Sequence, residues 1–194
     1  MRESERAMTD ATITFRPLLP SDLPTLVEWI ARPHVAEYWD SPTTLEELRR
    51  DYMDNSDPAR GRAFIASLGD VPIGFIQVYH VMSDDPDWWS DETDPGARGI
   101  DQFLIDGSRL GQGLGTRMIS AFVDRIFEDP LVTKVQLDPS PRNARAIRAY
   151  EKVGFQRAFE VETPDGPALL MVISREAWAL RESRASREKS GELW

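Results

Sequence analysis

The chain has 194 residues, no cysteine, only two histidines and a formal charge of -10. Without cysteine there is no disulfide, thiolate metal site or cysteine nucleophile, and His34 and His80 alone cannot make a histidine-rich metal site, so no metal is expected. The acidic balance argues against a nucleic-acid partner, which needs a basic face, and favours a cationic one.

The length and the 41% hydrophobic content suit one domain with its own core. No apolar run approaches a membrane span, and residues 1–12 are too polar for a signal peptide. We therefore expect a cytoplasmic protein without a membrane partner, a monomer or weak dimer. Residues 1–11 read as a flexible tail, 12–180 as the domain and 181–194 as a charged tail.

Thr12–Leu18 alternates and predicts a strand. Ser21 is placed to cap a helix carrying Leu23, Leu26, Val27 and Ile30. Thr43 or Thr44 opens a second helix, running to about Met53. Arg62–Ser67 and Pro72–His80 predict a hairpin turning at Gly69-Asp70. An acidic, tryptophan-bearing loop follows, then a strand at Gly99–Ile105. Met118, Ile119, Phe122, Val123, Ile126 and Phe127 recur at three- and four-residue steps, predicting a helix over residues 114–128. A short strand at Thr133–Leu137 leads to a helix capped by Asn143 and ended by Gly154. Phe155–Thr163 and Pro167–Ser174 close the chain as a hairpin across Pro164-Asp165-Gly166. Strands interleaved with helices make a mixed α/β sheet covered on both faces.

Two segments carry chemistry. In the first, Leu110-Gly111-Gln112-Gly113-Leu114-Gly115-Thr116, alternating glycines run into a helix start. Glycine lets backbone approach a ligand, and a helix N-terminus presents free N–H groups to phosphate. A Walker A loop would need lysine before Thr116, and a dinucleotide fingerprint would need glycine at 116, so neither applies. In the second, Asn143, Ile147 and Tyr150 share one helix face, with Ala146 beside them. Taken singly, the first is a turn with a helix start and the second a cap with a core aromatic. Together they describe a pyrophosphate grip with a tyrosine hydroxyl nearby, which points to group transfer from a coenzyme A thioester.

The acidic loop adds a third signal. Asp84, Asp85, Asp87, Asp91, Glu92, Asp94, Asp101 and Asp106 are opposed only by Arg98, and Trp88 and Trp89 sit among them. Such a run is commonly a solvated face. Tryptophans among carboxylates also make a surface that stacks on sugar rings and attracts ammonium groups.

The two chemistry-bearing segments resemble the coenzyme-binding core of the GCN5-related N-acetyltransferases (GNATs), and the similarity runs from about Ile13 to about Arg175. The stretches Trp88-Trp89, Glu92–Gly96, Arg98–Gln102, Asp138–Pro141 and Thr163–Ala168 are similar, more narrowly, to the aminoglycoside 6'-N-acetyltransferases. Leu110 departs from the arginine or glutamine that many superfamily members carry before the glycines. The resemblance implies a single-domain, largely antiparallel sheet with two splayed parallel central strands, Gly99–Ile105 and Thr133–Leu137, and the thioester arm of acetyl-CoA between them.

It also implies direct transfer to an amine. Tyr150 would protonate the departing thiolate, and Asp101 would hold the amine, with or without accepting its proton. Coenzyme contacts would come from Phe103, Leu104 and Ile105, residues 110–116 (Leu110, Gly111, Gln112, Gly113, Leu114, Gly115, Thr116), Asn143 and Ala146. Substrate contacts would come from Trp39, Trp88, Trp89, Asp94, Asp101, Asp138 and Asp165, with Gln77 as a polar residue in an apolar strand. Two rivals stay open, besides an acetyltransferase of another polyamine. One is a lysine or hydroxylysine acyltransferase of siderophore assembly, which carries histidine where Asp101 stands. The other is a silent acyl-CoA or drug-binding module, against which Tyr150 and Asp101 both speak.

Overall fold

Alternating side chains build the sheet, and a break in one strand pairing shapes the site. The computed structural model describes residues 12–39, 42–54, 57, 61–82, 89 and 91–190, with side chains through 184. Seven strands lie in the order β1-β2-β3-β4-β5-β7-β6: β1 Ile13–Pro17, β2 Gly61–Leu68, β3 Val71–His80, β4 Ala97–Leu104, β5 Lys134–Leu137, β6 Gln156–Thr163 and β7 Gly166–Ser174. All neighbours are antiparallel except β4 and β5. That parallel pair holds register only from Ala97↔Lys134 to Gly99↔Gln136. Beyond Gly99, β4 continues to Leu104 against β3 alone, so the two strands part as expected.

Helices cover both faces. On one face α4 (Leu114–Ile126) and α5 (Ala144–Val153) pack Ile119, Phe122, Val123 and Ile147 against Phe64, Ile76, Ile100 and Val135. On the other, α1 (Leu23–Ile30), α2 (Pro33–Ala36) and α3 (Leu45–Arg49) pack Leu26, Ile30, Val35 and Leu48 against Ile65, Phe75 and Phe103. Phe64 and Ile65, or Phe75 and Ile76, point to opposite faces because strand side chains alternate. Burying a side chain such as Phe122 contributes about 2–3 kcal/mol.

Several boundaries follow local chemistry. Thr44 caps α3, its hydroxyl accepting from Glu47 N–H while the Glu47 carboxylate accepts from Thr44 N–H at 2.9 Å. Asn143 caps α5 by accepting from Ala146 N–H at 3.1 Å, and left-handed Gly154 ends it. Two expectations need correction. Ser21 does not cap α1; it lies inside a 3-10 turn, Pro20–Asp22, where the Asp22 carboxylate accepts from Leu19 N–H at 2.8 Å and pairs with Arg16 at 2.6 Å. The stretch 181–190, expected in a charged tail, is the second half of a helix, α6 (Arg175–Ser190), which the sequence pattern does not predict. Its residues are mostly good helix formers, and Arg181 ties it down by donating to Val153 O at 3.1 Å, Ser120 Oγ at 3.2 Å and the Asp124 carboxylate. Residues 1–11 lie outside the described residues. Among the described residues no helix is long and apolar enough to cross a membrane, and no group of three carboxylates or histidines could hold a metal ion.

Candidate active site

Antiparallel register sets Asp101 of β4 opposite Gln77 of β3. Gln77 Nε2 donates to Asp101 Oδ2 at 2.7 Å. Burial pushes the Asp101 carboxyl up to about 6; the Gln77 bond opposes that rise and nearby Asp165 adds to it. Asp138, just beyond the end of β5, is pushed up to about 7 by burial and then by the charges of Asp101 and Asp165. Asp165 comes from the β6–β7 turn. Three carboxylates from three distant segments thus face one cleft of about 1360 Å³. Like charges held together in a poorly solvated place favour a cationic guest.

Aromatic rings wall this cleft. Trp39 meets Phe103 and Phe75 edge-on, at centroid distances of 5.1 and 5.7 Å. Tyr52 lies against Phe75 at 5.5 Å. Tyr79 fits only because residue 99 is glycine: a Cβ there would sit 2.2 Å from the tyrosine ring. Burial raises the Tyr79 hydroxyl far above its usual range, Asp101 and Asp138 raise it further, and the neighbouring Trp89 side chain opposes them. Trp89 is the one described non-glycine residue with a left-handed backbone, φ 54°. Backbone strain of that kind collects at functional sites.

Tyr150 belongs to the opposite face of the sheet, with the α4–α5 core. Its oxygen accepts from Gln102 Nε2 at 2.7 Å, and burial holds its hydroxyl well above the usual tyrosine range. Asp101 and Gln102 are neighbours on β4 and so serve opposite faces. The cleft reaches both, since its walls include Asp101, Asp138 and Asp165 as well as Gln102, Asn143 and Tyr150. Passage between the faces is possible where β4 and β5 have parted.

The glycine loop stands apart from those walls. Gly111 and Gly113 have φ of 75° and 84°, and a Cβ on either would meet no atom within 4 Å. Gly113 caps α4 without a side-chain bond, and the first helical bond runs from Arg117 N–H to Gly113 O. The N–H groups of the first turn, Leu114, Gly115 and Thr116, therefore face outward. Leu104 rests 3.6 Å from where a Gly115 Cβ would be, and Leu110 joins the same small core. Gln112 turns back to Ser108 O at 2.8 Å, serving the loop itself. Ala146 packs into the α4–α5 core below its cap.

Backbone direction sorts the β4 residues expected at a coenzyme. Ile105 N–H donates to Ile73 O at 3.0 Å, so it is committed to β3. Phe103 shares that direction by the two-residue repeat, and its ring is core. The N–H groups of Gln102 and Leu104 face the gap instead. The end of β4 is clamped from α2, where His34 Nε2 lies 2.8 Å from Leu104 O and Arg32 donates to Ile105 O.

The described part of the acidic run divides into unrelated places. Asp94 does not border the cleft: its carboxylate accepts from Gly96 N–H at 2.8 Å and from Thr133 Oγ1 at 2.5 Å, fixing the loop to the start of β5. Glu92 pairs with Lys134 at 2.7 Å for the same purpose. Arg98 is buried and donates to Pro95 O and Ala97 O. Asp106 binds Ser108 in the turn after β4. Trp88, Asp84, Asp85 and Asp87 lie outside the described residues. Sequence reasoning gave no role to Tyr52, Tyr79 or Gln102. A glycine inside a strand, Gly99, was the available sign that something bulky approaches there.

A family model described as an acetyltransferase (GNAT) domain matches residues 19–163. The chain belongs to the GNAT acetyltransferases. Aminoglycoside N(6')-acetyltransferase type 1 of Klebsiella pneumoniae is 44% identical over 178 residues, covering 90% of this chain and 89% of that protein. The solved structure of the aminoglycoside acetyltransferase AAC(6')-Ib with coenzyme A and kanamycin is 46% identical with a TM-score of 0.81, covering 87% of this GNAT chain and 98% of that one. The structure of AAC(6')-Ib with parmomycin and acetyl-CoA gives 45%, the same TM-score and coverages of 87% and 96%.

Proposed function

We propose that this GNAT enzyme transfers an acetyl group from acetyl-CoA to the 6'-amine of an aminoglycoside, with both substrates bound together. The observation that carries the reading is the convergence of Asp101, Asp138 and Asp165 on a cleft that also reaches Tyr150 through the strand gap. Relatives that bind coenzyme A and kanamycin support it.

The residues present fit the coenzyme. Open ground above Gly111 and Gly113 and the outward amides of 114–116 suit a pyrophosphate. The gap-facing N–H groups of Gln102 and Leu104 suit amide and acyl carbonyl oxygens. Acetyl-CoA supplies an acyl carbon on a thiolate leaving group. Asp101 takes a proton from the bound ammonium, a task its raised carboxyl suits near neutral pH. The amine nitrogen then bonds to the acyl carbon as the carbon–sulfur bond breaks, and Tyr150 gives its hydroxyl proton to sulfur. The second proton, shed by the new amide nitrogen, passes through solvent to restore the Tyr150 hydroxyl, and Asp101 releases its proton to solvent. Asp138 and Asp165 hold further ammonium groups, and Trp39 and Trp89 line the sugar rings, with Trp88 implied by resemblance alone.

The test is acetyl-CoA-dependent thiol release with kanamycin beside an analogue lacking the 6'-amine. Rapid release with the parent and none with the analogue is expected. No release with any aminoglycoside would overturn the assignment and turn attention to lysine-like amines, although the histidine expected of that branch is replaced here by Asp101.

A further inference from the structure

The geometry points to Gln102 as a positioning residue that leaves the Tyr150 proton available for transfer. The inference rests on the reading of Tyr150 as proton donor. A tyrosine oxygen can accept hydrogen bonds as well as donate one. Gln102 Nε2 donates to it at 2.7 Å, so the acceptor side is occupied and the tyrosine's own proton is not used by the glutamine. A donor on the phenol oxygen also stabilises the charge that develops as the proton leaves, and this bond opposes the upward push of burial on that hydroxyl.

The rest of the amide supports this orientation. Gln102 Oε1 is buried and has no hydrogen-bond partner among the described residues. Turned over, the amide would accept the tyrosine proton on Oε1 and place its NH2 group where Oε1 now lies. Orphaned buried N–H groups are rarer than under-used carbonyl oxygens, so the observed orientation is the cheaper one. Register keeps it in place: Gln102 pairs with Ile76 on β3, and its neighbours Phe103 and Leu104 are buried. Tyr150 is itself held at the ring by Phe155, edge-on at 6.1 Å. Consecutive residues of β4 therefore attend to two proton movements, Asp101 at the amine and Gln102, through Tyr150, at the sulfur.

The test is a double-mutant cycle between position 102 and Tyr150 in the full-length enzyme with kanamycin and acetyl-CoA. Gln102→Met keeps the length and removes the donor; Gln102→Glu puts an acceptor against the hydroxyl. Gln102→Met should lower kcat about tenfold with both KM values unchanged, the loss of one hydrogen bond to a developing charge. Gln102→Glu should lose more, because its carboxylate captures the proton. In a Tyr150→Phe background, Gln102→Met should cost nothing further. The Tyr150 13Cζ resonance, which needs no turnover, should move in opposite directions in the two variants.

An unchanged kcat in Gln102→Met, an equal loss with phenylalanine at 150, or a rise in KM instead would overturn the inference while leaving the acetyltransferase reading intact. A full kcat in Tyr150→Phe would remove the proton donor and the inference with it. Absence of transfer by the native enzyme would overturn both, and an unmoved resonance would refute the hydrogen bond and overturn the inference with it.

Discussion

The carboxylate cleft and the glycine loop are built in opposite ways. The loop is local: a short stretch of backbone turns through Gly111 and Gly113 and delivers the N–H groups of α4. The cleft is assembled from far apart, with Asp101, Asp138 and Asp165 brought together from a mid-strand, a strand end and a hairpin turn. The loop stores its chemistry in conformation, and the cleft stores it in unfavourable electrostatics. Changes to the first should therefore act on coenzyme affinity and backbone strain, and changes to the second on rate, pH dependence and stability.

The sharpest break is Asp101→Asn. Loss of a general base should lower kcat/KM by about 10²–10⁴-fold, and the acid limb near pH 6 should vanish from the rate profile. Steady-state kinetics from pH 5 to 8 would show it, and a surviving acid limb would reassign that limb to another group. Tyr150→Phe comes next. It should lower kcat by about 10²-fold, the low end of the scale for a lost general acid, with the KM for acetyl-CoA unchanged.

Stability should move the other way. Between the ordinary carboxylate range and the raised values of about 6 and 7, the folded chain keeps protons that the unfolded chain has released. Stability therefore falls as pH rises through that window. Asp138→Asn should flatten the slope and raise the denaturation midpoint at pH 8, while weakening a polyamine ligand. Equal slopes in urea titrations of both forms at pH 5 and 8 would refute this.

Two smaller effects sharpen the contrast. Gly113→Ala must adopt φ 84° and should lose about 1–2 kcal/mol of stability along with coenzyme affinity. Asp94→Ala should lose about 1 kcal/mol of stability from its two anchors and leave the KM for the aminoglycoside unchanged. A large rise in that KM would place Asp94 back at the substrate.

Legibility in the sequence followed the same division. Hydrophobic period, caps and turn residues gave every strand and α4 and α5 to within a few residues, because those signals are local. Asn143 and Gly154 were legible as the ends of α5 for that reason. The described part of the acidic run shows that adjacency in the chain is not adjacency in space: Asp101 and Trp89 line the cleft and Asp94 does not. Asp94 turns to its own loop and Arg98 is buried, whereas Asp138 and Asp165, named only through the resemblance, reach the cleft from distant segments. The partnership of Gln102 and Tyr150 spans 48 positions and depends on strand alternation meeting a helix face, which no local pattern encodes. The helix α6 was missed because a polar stretch carries no hydrophobic period, and it is held by long-range contacts of Arg175, Trp178 and Arg181 that no local pattern encodes.

The parting of β4 from β5 has one more consequence. A sheet whose central strands separate has an edge in its interior, with peptide N–H groups that no neighbouring strand covers. At the rim of a sheet such groups invite a stray strand; here they are sheltered between α-helical layers. Hydrogen–deuterium exchange should therefore find Gln102 and Leu104 exchanging faster than Ile105, whose N–H is tied to Ile73, although all three sit mid-molecule. Acetyl-CoA should erase that difference, because its arm completes the sheet much as a missing strand would.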